Sequence, residues 1–319
     1  MNIIKNRYLY FAISLLVIIP GIIFMGIHMV QDPTHSPLPL GIDFTGGSLL
    51  EVKFASGKQP PVADVAAIYS QFVSIDKESL GEPVIQPLGT DSYSIRSRAM
   101  DDATKGKIVA AMQTKFGTTV TVQNFTSVSP SVGAEVTSTA GLAVAAAAIA
   151  ILLFIWVAFR GVQHAERYGA AAIIAMLHDI FVVLGVEAML GAFFGYQADS
   201  LFLTALLTVI GFSVHDTIVV FDRIRENMST YRRVDFETVV NHSVVQTLDR
   251  SINTQLTVMF TLTALALFGG ESIRHFVVIL LVGEFSGTYS SIFNASPILV
   301  VWENKEWKTW FGRKPAVEA

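Results

Sequence analysis

The 319-residue chain contains no cysteine. That absence rules out disulfides, thiolate metal sites and a cysteine nucleophile. Charge is scarce as well, with charged residues at 15% and a net charge of −4. No basic excess, zinc-ligand spacing or arginine–aromatic ladder points to a nucleic-acid partner. No motif asks for a cofactor or a metal, and no catalytic constellation marks an enzyme. What the chain has in quantity is apolar side chains: 52% of residues are hydrophobic. That lies well outside soluble-domain usage and places the chain among integral membrane proteins.

Crossing about 30 Å of hydrocarbon takes roughly 20 apolar residues. Six runs qualify: 8–30, 138–159, 169–194, 201–222, 251–268 and 275–301. Basic residues then orient them. Lys5 and Arg7, Arg160 and Arg167, the group Arg223, Arg225, Arg232, Arg233 and Arg250, and finally Lys305, Lys308, Arg313 and Lys314 fall on one side. The short loops opposite, near 195–200 and 269–274, hold only Arg274, so the positive-inside rule puts both termini in the cytoplasm. The first run has basic residues before it, as a signal peptide does. Its core is too long and no small-x-small cleavage site follows, so it reads as an anchor. The expected organisation is a cytoplasmic N-terminus with the first span (1–30), a periplasmic segment (31–137), and a bundle of spans two to six (138–301). A cytoplasmic loop (223–250) interrupts the bundle, and a cytoplasmic tail (302–319) follows it.

The periplasmic segment opens with a Pro-rich linker, DPTHSPLPL, and then alternates strand and helix patterns. GSLLEVKF (47–54) reads as a strand, 62–72 as a helix, and 82–88 and 92–98 as two strands around Gly89-Thr90-Asp91. A helix over 101–117 carries acidic residues at its start and Gly117 at its stop, and 119–128 is a final strand. The order βαββαβ predicts a ferredoxin-like α+β domain between the first two membrane helices of a six-helix polytopic protein.

Polar residues within the spans form stripes. Arg250, Asn253, Thr254, Thr257 and Thr261 recur at helical spacing on the fifth span; Glu284, Gly287, Ser291 and Asn294 do so on the sixth. The fourth carries Thr204, Thr208, Gly211, His215 and Asp222 with Asp216 one step round, and the third carries His178, Asp179 and Glu187. Lipid offers such stripes no partner, so they are expected to face a bundle interior or a wet cavity. Gly283 and Gly287, at GxxxG spacing, suit close helix packing. Arg223, Arg225 and Glu226 read as interface residues that set topology.

Asp216 stands apart. It lies seven residues before Arg223, roughly 10 Å from the cytoplasmic end of its helix, where a charge costs roughly 2.5–3.5 kcal/mol. Arg250 enters the next span from the same side, and the two can meet. Pairing holds the carboxylate ionised and protonation releases the arginine, which makes a two-state element that a proton gradient can bias. Asp179, somewhat deeper on the third span, is a second proton-coupling candidate. His178 and His215 are candidate relay residues; Asp222, Asn253, Thr254 and Thr257 are candidate cavity lining.

Seven stretches, LGIDFTGGSLLEV (40–52), SVGAEV (131–136), AMLHDIFVVLG (starting near 175), SVHDTIVVFDRIREN (213–227), TLDRSINT (247–254), FGGESIRHF (268–276) and GTYSSIFNASPILV (287–300), together resemble one family. It is SecF, the smaller half of the SecD–SecF accessory complex of bacterial protein export, related to the resistance-nodulation-division transporters. The resemblance implies proton-motive-force-dependent help in late translocation at the inner membrane. It also implies SecD, the SecYEG translocon with YajC and YidC, the translocating preprotein and protons as partners. Asp216 matches the family's essential transmembrane aspartate and Arg250 its arginine partner, with Ser251 here where the family often has threonine. Asp43, Gly46 and Gly47 fall in the first matching stretch as a structural motif.

Two other readings share some of these features. An intramembrane aspartyl protease needs two carboxylates on adjacent spans, which Asp179 and Asp216 supply, but an arginine close by opposes the shared proton of such a dyad. A proton-coupled small-molecule exporter of the resistance-nodulation-division type uses the same chemistry with much larger outer domains.

Overall fold

A computed structural model describes residues 2–32, 35–160 and 164–307, with backbone alone at 271 and 272. The expected basic residues Lys308, Arg313 and Lys314, and Pro33 and Thr34 of the linker, lie outside the described residues.

In chain order, a 3-10 turn (Ile4–Asn6) leads into α1 (Arg7–Gln31), followed by one short turn, α2 (Ile42–Thr45), and β1 (Gly47–Phe54). Then come α3 (Val62–Tyr69), β2 (Val84–Leu88), β3 (Ser92–Ser97), α4 (Asp102–Phe116) and β4 (Val120–Val128). The remainder is helical: α5 (Pro130–Phe159), α6 (Ala165–Phe194), α7 (Ser200–Thr230), α8 (Phe236–Phe268) and α9 (Glu271–Ser290). A π turn (Ser291–Ala295) joins α9 to α10 (Ser296–Glu303). Among the described residues, six helices are long and apolar enough to cross a membrane, α9 to α10 counting as one.

The chain divides into two compact units. One comprises Leu40–Ala143 with Gln197–Ser200 and holds a four-stranded sheet in the order β2-β3-β1-β4, every neighbour antiparallel. With α3 and α4 as the two crossovers this is the ferredoxin-like arrangement. Leu50 sits opposite Ile95 on one side and Phe125 on the other. Leu50, Val52 and Phe54 alternate inward and pack with Tyr93 and Ile95 under Val65, Ile68 and Tyr69 of α3 and Ile108 and Met112 of α4. Burying each large apolar side chain contributes roughly 1.5–3 kcal/mol. Asp101 starts α4 by accepting from Thr104 N at 2.8 Å, and Gly117 ends it in the left-handed conformation at φ 59°. This unit takes in the first turns of α5, beyond the expected boundary at 137. Gly133 passes so close to Gly46 N that a Cβ would stand 2.6 Å away, and Thr137 Oγ1 donates to Phe44 O at 3.0 Å.

The second unit comprises the six spans. α1 and α6 touch backbone to backbone: a Cβ on Gly185 would stand 2.7 Å from Gly21 Cα. Such an approach is open only to glycine on both sides, the small-residue packing of membrane helices. Arg7 pairs with Glu306 at 2.6 Å and with Glu237 at 3.1 Å, while Asn241 Oδ1 accepts from Ile3 N at 2.8 Å. These bonds tie the start of α1, the start of α8 and the end of the last span together.

The expected loop over 223–250 is instead mostly helix. α7 continues to Thr230, α8 begins at Phe236, and only 231–235 turns. The two extensions pack on each other through Asn227 Nδ2, which donates to Ser243 Oγ at 2.8 Å, and Asp235 caps α8 by accepting from Thr238 N at 2.9 Å. Charge density marked where the spans end, and the helices run on past it.

Candidate functional site

Gly283 and Gly287 let α9 lie against α7. A Cβ on Gly283 would run into the Val209 side chain, and one on Gly287 would stand 3.4 Å from Ser213 Cα. Ser286 and Ser290, four residues apart and so on one face, are brought with Ser213 onto Asp179 of α6. Asp179 is 1% exposed. Ser213 Oγ donates to it at 2.5 Å, Ser286 Oγ and Ser290 Oγ at 2.6 Å each, and His178 Nδ1 at 2.9 Å. Four donors satisfy a buried carboxylate fully, which is the condition for carrying charge away from water.

Asp216, 5% exposed on α7, has a different partner from the one expected. Its Oδ2 accepts from Gln255 Nε2 of α8 at 2.7 Å. Arg250 makes no ion pair with it among the described residues. It is exposed and lines a cleft of ≈ 520 Å³ with Ala158, Phe159, Ile218 and Val219 as well as Asp222, Arg223, Arg225, Glu226 and Thr247, though it remains within electrostatic reach of Asp216. Helix geometry accounts for this. Gln255 is five residues beyond Arg250, about a turn and a half deeper and well round the helix, so only one of the two can face α7. Asp179 and Asp216 are not bonded to each other, which removes the shared-proton geometry of an aspartyl protease.

A third buried carboxyl, Glu187 of α6, is wholly buried and pairs with His275 Nε2 at 2.7 Å; Tyr196 stacks on that imidazole with ring centroids 4.6 Å apart. Ser14 of α1 and Asn294 of the π turn bond each other at 2.9–3.0 Å.

The stripes expected to face inward divide. Those of α6 and α9 do so. Thr204, Gly211 and His215 on α7 and Asn253, Thr254, Thr257 and Thr261 on α8 are exposed on the outer face of the bundle. The reason is position: α8 is a peripheral span with 11% of its apolar window buried, against 44–56% for α6, α7 and the last span. Asp222 is exposed and paired with Arg225 at 2.6 Å.

In the α/β unit, Asp43 Oδ2 accepts from Ser200 N at 2.9 Å and Gly41 N donates to Ala198 O at 2.7 Å. Gly46 turns the chain at φ +73°, with Pro130 Cα 2.7 Å from where a Cβ would be, and Gly47 follows at φ +132°.

Sequence reasoning missed Gln255, Ser213, Ser286 and Ser290 as site residues. The serines were visible as hydroxyls at i, i+4 spacing. Gln255 was visible as a long amide inside an otherwise Thr-rich and apolar run.

A family model described as protein export membrane protein SecD/SecF, C-terminal, matches residues 108–305, and one for the SecD/SecF GG motif matches residues 34–57. Among curated proteins, the chain is 53% identical over 319 residues to protein translocase subunit SecF of Anaerolinea thermophila, covering 99% of each. It is 46% identical to the SecF subunit of Thermobaculum terrenum, covering 98% of this chain and 97% of that protein. Among solved structures, SecDF of Thermus thermophilus, described as a translocon-associated membrane protein, superposes with a TM-score of 0.76 at 28% identity. That match covers 95% of this chain and 39% of the SecDF chain, so the present chain spans well under half of that protein.

Proposed function

The chain belongs to the SecD/SecF family of protein-export membrane proteins, as a SecF subunit, and from that premise we propose that it couples proton movement to late preprotein translocation. In this reading it is a non-enzymatic subunit that works with SecD beside the SecYEG translocon, with YajC and YidC, in the bacterial inner membrane. Both termini and the 231–235 turn face the cytoplasm, and the α/β unit faces the emerging preprotein on the other side. The full-length SecF relatives leave the small-molecule exporter reading without support.

The observation that carries the proposal is Asp216, buried in an apolar span and held across to α8 by Gln255. An ionised Asp216 attracts the Gln255 amide and feels Arg250. Protonation removes that charge, weakens the hold of α7 on α8, and lets α8 shift. One charge crossing 100 mV is worth about 2.3 kcal/mol, which biases a two-state equilibrium about fiftyfold. Asp179 is saturated by its partners on α6, α7 and α9. The exposed face of α7 and α8 is the surface that SecD covers, since the His215 imidazole and the Asn253 amide at hydrocarbon depth need protein partners, while Thr257 and Thr261 already donate to carbonyls one turn back.

The test is Asp216→Asn, which keeps shape and polarity and cannot titrate. The complex is expected to assemble while gradient-stimulated translocation into inverted vesicles disappears. Full stimulation in the variant, at equal expression, overturns the proposal.

A further inference from the structure

Glu187 is a buried carboxyl to which the coupling reading gives no part. It lies seven residues before the end of α6, about 10 Å inside the span. Its surroundings differ from those of Asp179. Asp179 has four donors, whereas Glu187 meets one group, His275 Nε2, at 2.7 Å from its Oε2. The other oxygen, Oε1, is buried with no hydrogen-bond partner among the described residues. A wholly buried carboxylate with a single donor is short of the bonds that make a charge tolerable away from water. One added proton makes the Glu187–His275 pair neutral overall.

The imidazole offers that proton a way in. His275, in the second turn of α9, keeps 12% of its side chain exposed while Glu187 keeps none. Tyr196, just past the end of α6, stacks on the ring with the planes 13° apart and leaves its edge open. Both residues stand where the 195–200 and 269–274 loops lie, at the end of the bundle opposite Arg250. His275 and Ser286 are three turns apart on one face of α9, so the α6–α9 seam carries Glu187 near its end and Asp179 deeper.

We propose that Glu187 and His275 form a proton-loading site at the non-cytoplasmic end of the bundle. This rests on the proton-coupling reading above and names where the proton enters. An N–H bond forms on His275 Nδ1 as an O–H bond of hydronium breaks, and the proton on Nε2 then passes to Glu187 Oε2. Imidazole takes a proton at one nitrogen and releases one at the other, which suits it to this relay. The site goes from one negative charge to none. Other ionisable groups at this end are Glu271 and Arg274 on α9, and Tyr196 and Asp199 on the loop after α6. His28, Asp32 and His35 lie at and after the end of α1, with His28 Nδ1 held 2.8 Å from Ser36 O. α7 before His215 and α8 beyond Arg250 carry none.

The experiment has two arms, both on the complex with SecD in lipid. Nitrogen-15 magnetic resonance of histidine-labelled protein reads the ring nitrogens, and the His275 signals are those that His275→Gln removes. Between about pH 8 and about pH 5, the range in which imidazole changes charge, Nδ1 is expected to gain a proton while Nε2 stays hydrogen-bonded. Ring nitrogens that do not change over that range overturn the site. The second arm is gradient-stimulated translocation into inverted vesicles. Glu187→Gln/His275→Gln keeps an amide-to-amide bond across the seam and binds no proton. It is expected to co-purify with SecD and to lose the stimulation. Full stimulation in this double variant overturns the site, because such a bond restores a purely structural pair. If the double variant does not co-purify, the resonance arm decides alone. If the site is overturned and Asp216→Asn still abolishes stimulation, the proton-coupling reading stands without it; if Asp216→Asn does not, both fall.

Discussion

Ser290 offers a direct measure of whether Asp179 is held as an anion. A hydroxyl donating to a charged acceptor contributes about 1.5–3 kcal/mol, against about 0.5–1.5 kcal/mol for a neutral one. The Ser290 contact at 2.6 Å has the length of a charge-assisted O–H···O bond. Ser290→Ala therefore should destabilise the complex by about 1.5–3 kcal/mol, leaving Ser213 on the same carboxyl oxygen. In an Asp179→Asn background the acceptor is neutral, and the same substitution should cost only about 0.5–1.5 kcal/mol. The expected coupling is on the order of 1 kcal/mol, well within what neighbouring residues show in such cycles. Thermal unfolding of the four proteins, each co-purified with SecD in the same detergent, supplies the cycle. Equal losses in the two backgrounds would refute the idea that the serines hold a charge.

Two further tests address other parts of the molecule. With no native cysteine, single replacements at exposed Lys58 and Thr230 report sidedness: Lys58→Cys should react with a membrane-impermeant thiol reagent in spheroplasts and Thr230→Cys should not, and the reverse labelling overturns the topology. Acidification should loosen α4 from its first turn. The hydrogen bond from Thr104 holds the Asp101 carboxyl below the usual carboxylate range, so its contribution is present above about pH 4 and is lost as pH falls through the depressed value. Hydrogen exchange at residues 102–105 between pH 6 and pH 3 reads this out, and Asp101→Asn, which still caps, should flatten the dependence.

Much of the α/β unit was legible because its signals are local. The strand 47–54 alternates from Leu50 to Phe54, Asp101 and Gly117 bracket a helix, and Gly89-Thr90-Asp91 marks a hairpin; the structure realises each of these. The turn at Ile42–Thr45 was not legible, since four residues carry no periodicity and Gly46 is fixed by Pro130, far along the chain. In the membrane, span number and the burial of Asp216 and Asp179 could be read from apolar length and the cost of a charge in lipid. Their partners could not. Whether Arg250 or Gln255 meets Asp216 depends on the rotation of α8. Whether Ser290 or Ser291 meets Asp179 depends on how Gly283 seats against Val209 and on a π turn that inserts an extra residue into the last span. Such rotations are set by neighbours distant in sequence, and single-helix periodicity has no access to them.

The backbone contact between Gly21 and Gly185 also bears on how the chain is made. At about 5–20 residues per second, roughly 8–30 s separate synthesis of the first glycine from the second. Throughout that interval α1 sits without the helix it will lie against, and between Phe11 and Ile27 Ser14 is its one polar side chain. α8, rich in threonine and carrying Asn253 and Gln255, leaves the ribosome only after α6 and α7 are in place. α6 is the reverse case: Asp179 and Glu187 are made before Ser213, Ser286, Ser290 and His275, so that span holds its carboxyls without those partners until α7 and α9 follow.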